Sequence, residues 1–166
     1  MSCPQALGAE GASQARPGWI ESKGDEQDGR KNKVTAELAS ENTQPVGLIG
    51  NQARASLVAY KSGPGAIAKA QGFIEFSTNV LINSFSRKIC HSSSCVMEVK
   101  FDGQPVEKFK LFEAGPEYYL KRVLVYDQDF FKKAFKSRAI SVKLKFADSV
   151  EGVYVFRNPN NFDWSE

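Results

Sequence analysis

The stretch FSRKICHSSSCVMEVKFDGQPVEKFKLFE, residues 85–113, predicts three short strands joined by two tight turns, and it decides the fold class. Its middle strand has two faces: the apolar set is Cys95, Met97, Val99 and Phe101, and the set between them is Val96, Glu98 and Lys100. Asp102-Gly103 supplies the second turn, because both residue types tolerate positive φ, and Pro105 follows it. The stretch therefore predicts an antiparallel β-meander.

Further strand patterns lie on both sides of this meander. They cover residues 33–38, 54–61, 73–76, 121–126, 140–146 and 153–156. We expect residues 40–52 to form a loop with Pro45, and Gly72 to mark a bulge or bend. Residues 153–156 are apolar on both faces, which predicts a strand inside the fold.

The ends of the patterned region are aromatic. Trp19 begins it, as the start of a first short strand or as a plug on the sheet. Phe162 and Trp164 end it, and we expect these two rings to cover one edge or end of the core.

One helix is predicted over residues 127–137. Asp127 is placed to cap its first turn, and Phe131, Ala134 and Phe135 form an apolar stripe at helical spacing. Together with eight or nine short strands, this predicts an all-β fold with one short helix: an antiparallel β-sandwich or flattened barrel.

Composition indicates one folded domain with a tail. The chain has 166 residues, 42% of them hydrophobic, and 12 Phe, which is enough for a core. Residues 1–18 are poor in aliphatic side chains and are predicted to be a flexible tail, so the domain spans residues 19–166. No stretch approaches the roughly 20 consecutive apolar residues of a membrane-spanning helix.

The cysteines carry the clearest chemical prediction. Cys90 and Cys95 flank a four-residue polar loop and are expected to form a disulfide, which would contribute about 2 kcal/mol by constraining the unfolded chain. Two buried thiols remain the main alternative. A zinc site is disfavoured, because the adjacent Cys90 and His91 point to opposite faces and no fourth ligand is near.

No catalytic site, metal site or cofactor is predicted. His91 is the only histidine, and it lies at a hairpin tip where no third group is placed to orient its ring. The acidic run at residues 25–28 does not match a calcium-binding loop, since Gly24 and Thr35 occupy the positions of the first and last carboxylates. The sequence therefore favours a protein that is not an enzyme.

Positive charge is concentrated late in the chain. Residues 51–166 carry 17 basic and 12 acidic side chains, whereas residues 1–50 carry 5 and 7. The candidate partner-binding residues are Lys121, Arg122, Lys132, Lys133, Lys136, Lys143 and Lys145. Tyr118, Tyr119 and Tyr126 lie close by, so nucleic acid or an acidic protein are both conceivable ligands, although a solvated surface explains most of the pattern.

The N-terminal residues do not decide between a cytosolic and an exported protein. Residues 1–17 lack the basic start and apolar run of a signal peptide, which fits a cytosolic protein or a mature exported one. A Cys at position 3 before a Gly/Ala-rich tail is how a mature lipoprotein begins, so Cys3 is a candidate lipidation site. A chance cysteine in the tail is the alternative.

A resemblance follows from the order of these segments. Trp19, the acidic turn at 25–28, VTAELASEN at 34–42, CVMEVKFDG at 95–103, the helix and GVYVF at 152–156 occur in this order. In this order the chain resembles small exported β-sandwich proteins of Gram-negative bacteria, including type VI secretion accessory proteins and other envelope proteins. The resemblance implies a periplasmic or membrane-anchored, non-enzymatic role, and it carries over no catalytic residue.

Two functions are therefore expected. The first is an envelope protein-interaction module, periplasmic or lipid-anchored, acting as a secretion-system accessory or as an inhibitor or immunity-like protein. The second is a cytosolic binding domain that uses residues 118–145 on nucleic acid or an acidic protein. The state of Cys90 and Cys95 separates them, because the cytosol keeps such thiols reduced.

Overall fold

The computed structural model describes residues 18–23, 33–46, 51–62, 71–78, 94–113, 121–145 and 151–164. Within these ranges lie nine strands and one helix. The strands are β1 (Ile20–Lys23), β2 (Lys33–Val46), β3 (Asn51–Ser62), β4 (Gln71–Thr78), β5 (Ser94–Phe101), β6 (Glu107–Glu113), β7 (Lys121–Val125), β8 (Ala139–Lys145) and β9 (Glu151–Arg157), and the helix is α1 (Gln128–Lys136).

All nine strands belong to one antiparallel sheet with the order β1-β2-β3-β4-β7-β6-β5-β8-β9. Strands β5, β6 and β7 form a meander, and β8 returns to pair with β5, which is a Greek-key arrangement. The chain segment that makes this return contains α1. The predicted fold class, antiparallel β with one short helix, is confirmed.

The two outer parts of the sheet approach each other without forming a closed ladder. Strand β2 pairs with β3 along one side, and its other side is shared between β1 and β9. The amide of Asn42 joins β2 to β9, donating from Nδ2 to the carbonyl of Val153 (2.7 Å) and accepting at Oδ1 from the N–H of Val155 (2.8 Å). The sheet is therefore not closed, and we call this line of contact between β2 and β9 the seam.

The inner face of the sheet is filled with large side chains. Those with almost no exposed surface are Tyr154, Phe76, Phe130, Phe131, Phe156, Leu38, Leu57, Ile74, Met97, Leu111 and Ile140. Of the predicted inward positions of β5, Met97, Val99 and Phe101 are buried and Cys95 is partly buried. Because the interior is packed with protein atoms, a binding site has to be sought on the outside.

Helix α1 packs with its aromatic face against the core. Phe130 contacts Phe109 (ring centroids 5.2 Å) and Phe101 (5.9 Å), and Phe131 lies directly over Gly72 of β4. A Cβ atom at Gly72 would lie 2.2 Å from the carbonyl oxygen of Val58 and 2.4 Å from Cζ of Phe131. Glycine is needed at this position for close packing. The predicted bulge or bend is wrong, since β4 pairs with β3 in continuous register.

Aromatic residues from both ends of the described chain complete this part of the core. Trp19, Phe162 and Trp164 surround Phe135 of α1, with ring centroids at 4.9, 5.0 and 5.6 Å from it. The expectation that Phe162 and Trp164 cover one end of the core is confirmed.

Two predictions about strands are wrong. Residues 40–52 are not one loop, because β2 continues to Val46 after a register shift between Ala39 and Thr43. The sequence does not indicate this bulge, because its residues are polar and resemble a loop. Ser40 stabilises the bulge by donating a hydrogen bond from its hydroxyl to the Asn42 carbonyl (2.7 Å). Residues 153–156 are not interior on both faces, since β9 is the last strand of the sheet and Val153 is 38% exposed.

Some predictions concern residues outside the described ranges. These are the tail before residue 18, the acidic turn at 25–28 and the first of the three strands predicted within residues 85–113. Within the described part of the chain, no helix is long and apolar enough to cross a membrane.

Candidate interaction surfaces

The predicted basic residues do not form one cluster. Lys132, Lys133 and Lys136 are exposed on α1, whereas Lys143 and Lys145 lie on the outer face of β8 and Arg122 lies on the outer face of β7. The backbone of Lys121 begins β7, and its side chain is outside the described part of the structure. Two separate surfaces result, a groove beside α1 and the outer face of the sheet.

The groove lies between α1 and the connection from β5 to β6, and its volume is about 750 Å³. Its lining residues are Phe101, Asp102, Gln104, Pro105, Val106 and Glu107 on one side and Asp129, Lys132, Lys133, Lys136 and Ser137 on the other. This volume is within the range of ligand-binding clefts. The apolar Val106 is 45% exposed on the wall opposite the lysines.

A tight turn fixes the first wall of the groove. Asp102 (φ 50°) and Gly103 (φ 72°) both adopt the left-handed conformation, and Gln104 N–H bonds back to the Phe101 carbonyl at 2.9 Å. The carboxylate of Asp102 accepts hydrogen bonds from the N–H groups of Arg138 (2.8 Å) and Ala139 (2.9 Å). The turn is thereby held to the corner where the helix passes into β8.

The helix itself forms the second wall. Asp127 caps it by accepting a hydrogen bond from Asp129 N–H (2.9 Å), as predicted. Ser137 ends it, with its hydroxyl donating to the carbonyl of Lys133 at 2.6 Å. Lys133 also forms an ion pair with Glu107, so the two walls are linked across the groove.

The charged side chains in the groove differ in whether they have a partner. The carboxylates of Asp102 and Glu107 are engaged by backbone amides and by Lys133, respectively. Lys132 and Lys136 lie one turn apart on the helix, and neither has an ion-pair partner among the described residues. Asp129, in the first turn, is the remaining acidic residue. The lining as a whole has three acidic and three basic side chains, so the groove has no net formal charge.

The second surface is a line of apolar side chains on the outer face of the sheet, which we call the outer stripe. Tyr126, the residue after β7, and Val96 of β5 are exposed, and the other members are partly buried: Tyr60 of β3, Phe73 of β4, Leu124 of β7 and Phe112 of β6. Register places Phe73 opposite Leu124 and Leu124 opposite Phe112. The rings are in contact at each end, with Tyr60 and Phe73 centroids 6.3 Å apart and Phe112 and Tyr126 centroids 5.2 Å apart.

Cations lie directly on this stripe. The guanidinium of Arg122 is 4.6 Å from the centroid of Phe73 and bonds to the Glu75 carboxylate at 2.8 Å. Lys110 Nζ is 5.3 Å from the centroid of Phe112. On the outer faces of β4 to β8, the described cations are Lys100, Lys108, Lys110, Arg122, Lys143 and Lys145, and the described acidic residues are Glu75 and Glu98. The stripe is therefore set in a net positive face.

Sequence reasoning missed the outer stripe. The alternation of a strand predicts its inward side chains, whereas apolar residues between them do not show whether they face a partner or the core. The signal was present in the consecutive apolar residues Val123, Leu124 and Val125 and in the pair Leu111-Phe112, which give β7 and β6 apolar side chains on both faces.

Of the three cysteines, Cys95 alone lies within the described ranges. Cys95 lies at the start of β5, partly buried against the core. Cys90, Cys3 and His91 are outside the described ranges, so the disulfide and the lipidation remain predictions. No group of three or more His, Cys, Asp or Glu side chains is arranged to hold a metal ion within those ranges.

Comparisons with protein-family models, with curated proteins and with solved structures give no significant match to this chain.

Proposed function

We propose that the protein is a non-enzymatic binding module of the cell envelope that docks a partner protein on the outer stripe. The observation that supports this is the exposure of apolar side chains on the outer face of a sheet whose inner face already forms the core. Tyr126 is 51% exposed and Val96 is 52% exposed. A contiguous apolar line of this kind, flanked by charged side chains, is typical of protein interaction sites.

Charge favours an acidic partner. Six described cations and two described acidic residues share the outer faces of β4 to β8. Arg122 is paired with Glu75, and Lys143 with Glu98 and with Glu151 of β9, so the unpaired excess is Lys100, Lys108, Lys110 and Lys145. Carboxylates on a partner would complement these cations and increase the rate of encounter.

The test is a capture experiment with matched variants. Wild-type protein, Val96→Ser/Tyr126→Ser and Val153→Ser are immobilised and exposed to an envelope fraction of the native host. Val153 is a suitable control, since it is an exposed valine on β9, away from the stripe. We expect a protein retained by wild type and by Val153→Ser to be lost from the double variant, while circular dichroism shows all three folded. Equal retention by all three, or by none, would contradict the proposal.

The envelope location is a separate part of the proposal, supported by the Cys90 and Cys95 spacing and by Cys3 ahead of the Gly/Ala-rich tail. Intact mass of protein isolated from its host, before and after reduction and alkylation, tests it. A bridged pair, or a diacylglycerol adduct on Cys3, is expected. Three free thiols together with an unprocessed Met1 would assign the protein to the cytosol. A role as secretion accessory, inhibitor or immunity protein depends on the resemblance alone.

A second candidate function is binding of single-stranded nucleic acid in the cytosol. The observation that favours it is the alternation of rings and cations on the outer face, where Arg122 lies on Phe73 and Lys110 lies on Phe112. A labelled oligonucleotide of 20 thymidines would then bind, with an affinity that falls steeply as salt is added. Absence of an anisotropy change at low salt would exclude this candidate.

A further inference from the structure

We propose that Lys110 of β6 is the residue of the outer face that selects the partner, by binding a carboxylate that the partner holds between apolar side chains. The inference rests on the proposed function, since it names the chemistry that a protein docked on the outer stripe would present. It follows from the neighbours of Lys110 on the sheet, from its pairing within the described residues and from the acidic side chain nearby.

Lys110 lies between the two most exposed side chains of the outer stripe. Register places it opposite Val96 of β5. On its other side, extending the antiparallel pairing of Phe112 with Leu124 by two residues places Tyr126 opposite it. Neighbouring strands are about 4.8 Å apart, so these three residues form a row about 10 Å long across the sheet, with the cation in the middle. Both flanking side chains are accessible to a partner, since Val96 is 52% exposed and Tyr126 is 51% exposed.

The ammonium group of Lys110 is positioned without being neutralised. Its Nζ lies 5.3 Å from the centroid of the Phe112 ring, within the range of a cation–π attraction. It has no ion-pair partner among the described residues. At the other end of the stripe, Arg122 also lies on a ring but is paired with Glu75 at 2.8 Å. Of these two cations, Lys110 is therefore the one that can pair with a charged group of a partner.

The apolar side chains on both sides of Lys110 favour a carboxylate on a protein surface over the phosphates of a nucleic acid. A base could stack on Tyr126, but Val96 offers no ring, and Glu98, next on the same face of β5, would repel the phosphates beyond it. Apolar side chains of a protein would cover both Val96 and Tyr126. The row therefore matches a partner surface on which one acidic side chain is flanked by apolar ones.

The experiment is a titration of ¹⁵N-labelled full-length protein with phenylacetate, an apolar ring joined to a carboxylate, followed by amide chemical shifts. The control probe is phenylacetamide, which has nearly the same shape and no charge. We expect phenylacetate to shift the amides of Val96, Lys110 and Tyr126 and to bind about threefold more tightly than phenylacetamide, since one exposed ion pair is gained. Chemical shifts detect dissociation constants into the millimolar range, so weak binding is measurable.

Matched variants assign this preference to one residue. Lys110→Gln is expected to bind the two probes equally, whereas Lys108→Gln is expected to keep the preference for phenylacetate. Lys108 is a suitable control, because it lies two residues away on the same strand and register places it opposite Glu98 instead of an apolar side chain. Both substitutions remove one positive charge, so an effect of the general positive field alone would be the same in both.

Equal binding of the two probes to the wild type, equal effects of the two variants, or shifts away from the outer stripe would each overturn the inference. Binding of the thymidine oligonucleotide that is abolished by Lys110→Gln would also overturn it, since the lysine would then serve nucleic acid. The capture experiment fails separately. A partner that is lost from Val96→Ser/Tyr126→Ser but retained by Lys110→Gln would support the proposed function and contradict this inference. A probe preference that depends on Lys110, without any captured protein, would contradict the proposed function alone.

Discussion

Asp102 shapes the turn in two ways, through its backbone conformation and through its carboxylate. Its backbone adopts a φ of 50°, which most side chains resist, and its carboxylate accepts two hydrogen bonds from the backbone of residues 138 and 139. The dipeptide Asp-Gly was sufficient to predict the turn. The hydrogen bonds of the carboxylate could not be predicted. Nothing in the sequence indicates that Arg138 and Ala139, which follow Asp102 by 36 and 37 positions, lie beside the turn.

Replacing Asp102 separates these two contributions. Asp102→Ala removes the acceptor and places an alanine at positive φ, so we expect a loss of about 1–3 kcal/mol in the free energy of unfolding. Asp102→Asn keeps one side-chain oxygen and tolerates the left-handed conformation, and we expect it to lose less than half as much. Urea denaturation of both variants measures the difference. Equal losses would mean that a neutral amide oxygen cannot replace the carboxylate as acceptor at this position.

Contacts between elements explain why some elements could be predicted from the local sequence and others could not. Helix α1 was predicted almost to its ends, because its cap and its apolar stripe are both local in sequence. Strand β2 was cut short at its bulge, where Ser40, Asn42 and Thr43 are polar and hydrogen-bonded to other strands or to each other. For the outer stripe, the sequence indicates only that β6 and β7 have apolar side chains on both faces, because the rings are brought together by the register of four strands.

The contact of β4 with α1 at Gly72 makes a specific prediction. Gly72→Ala places a methyl group against the Val58 carbonyl and the Phe131 ring, and we expect a loss of about 1–3 kcal/mol or more in the free energy of unfolding. A second variant, Gly72→Ala/Phe131→Leu, reduces only the side-chain part of the clash. It should remain less stable than Phe131→Leu alone, because the carbonyl oxygen 2.2 Å away belongs to the backbone. Equal stability of these two variants in urea would show that the ring was the sole obstacle.

At the scale of the whole molecule, the sheet is an open ladder whose two outer parts are joined at the seam by side-chain contacts between β2 and β9. Asn42 presents a donor and an acceptor to β9 in the way a backbone peptide group would. The nearby Arg157–Glu41 pair (3.0 Å) also joins β2 to β9, but both of its side chains are largely in water. Strand number and fold class were predictable from alternation and turn residues, whereas the seam depends on residues more than a hundred positions apart.

The seam is tested by comparing its two contacts. Asn42→Ala leaves the Val153 carbonyl and the Val155 amide without their partner, and we expect it to destabilise the protein by about 1–3 kcal/mol. Arg157→Gln removes only an exposed ion pair, and we expect a loss of about 0–1 kcal/mol. Hydrogen exchange at the Val155 amide should accelerate in the first variant and stay unchanged in the second. A first variant as stable as wild type, with a protected Val155 amide, would mean that β2 and β9 are held together by other contacts.

The position of the seam in the sequence also affects how the protein is made. The hydrogen-bond partners of Asn42 lie 111 and 113 residues later in the chain, and Trp19 packs against Phe162. At a synthesis rate of about 5–20 residues per second, the first half of the sheet exists for roughly 6–20 s before its last strand has left the ribosome. During that time its apolar side chains have no complete core to join. The contact between the two outer parts of the sheet can therefore form only after the chain has been synthesised through Val155.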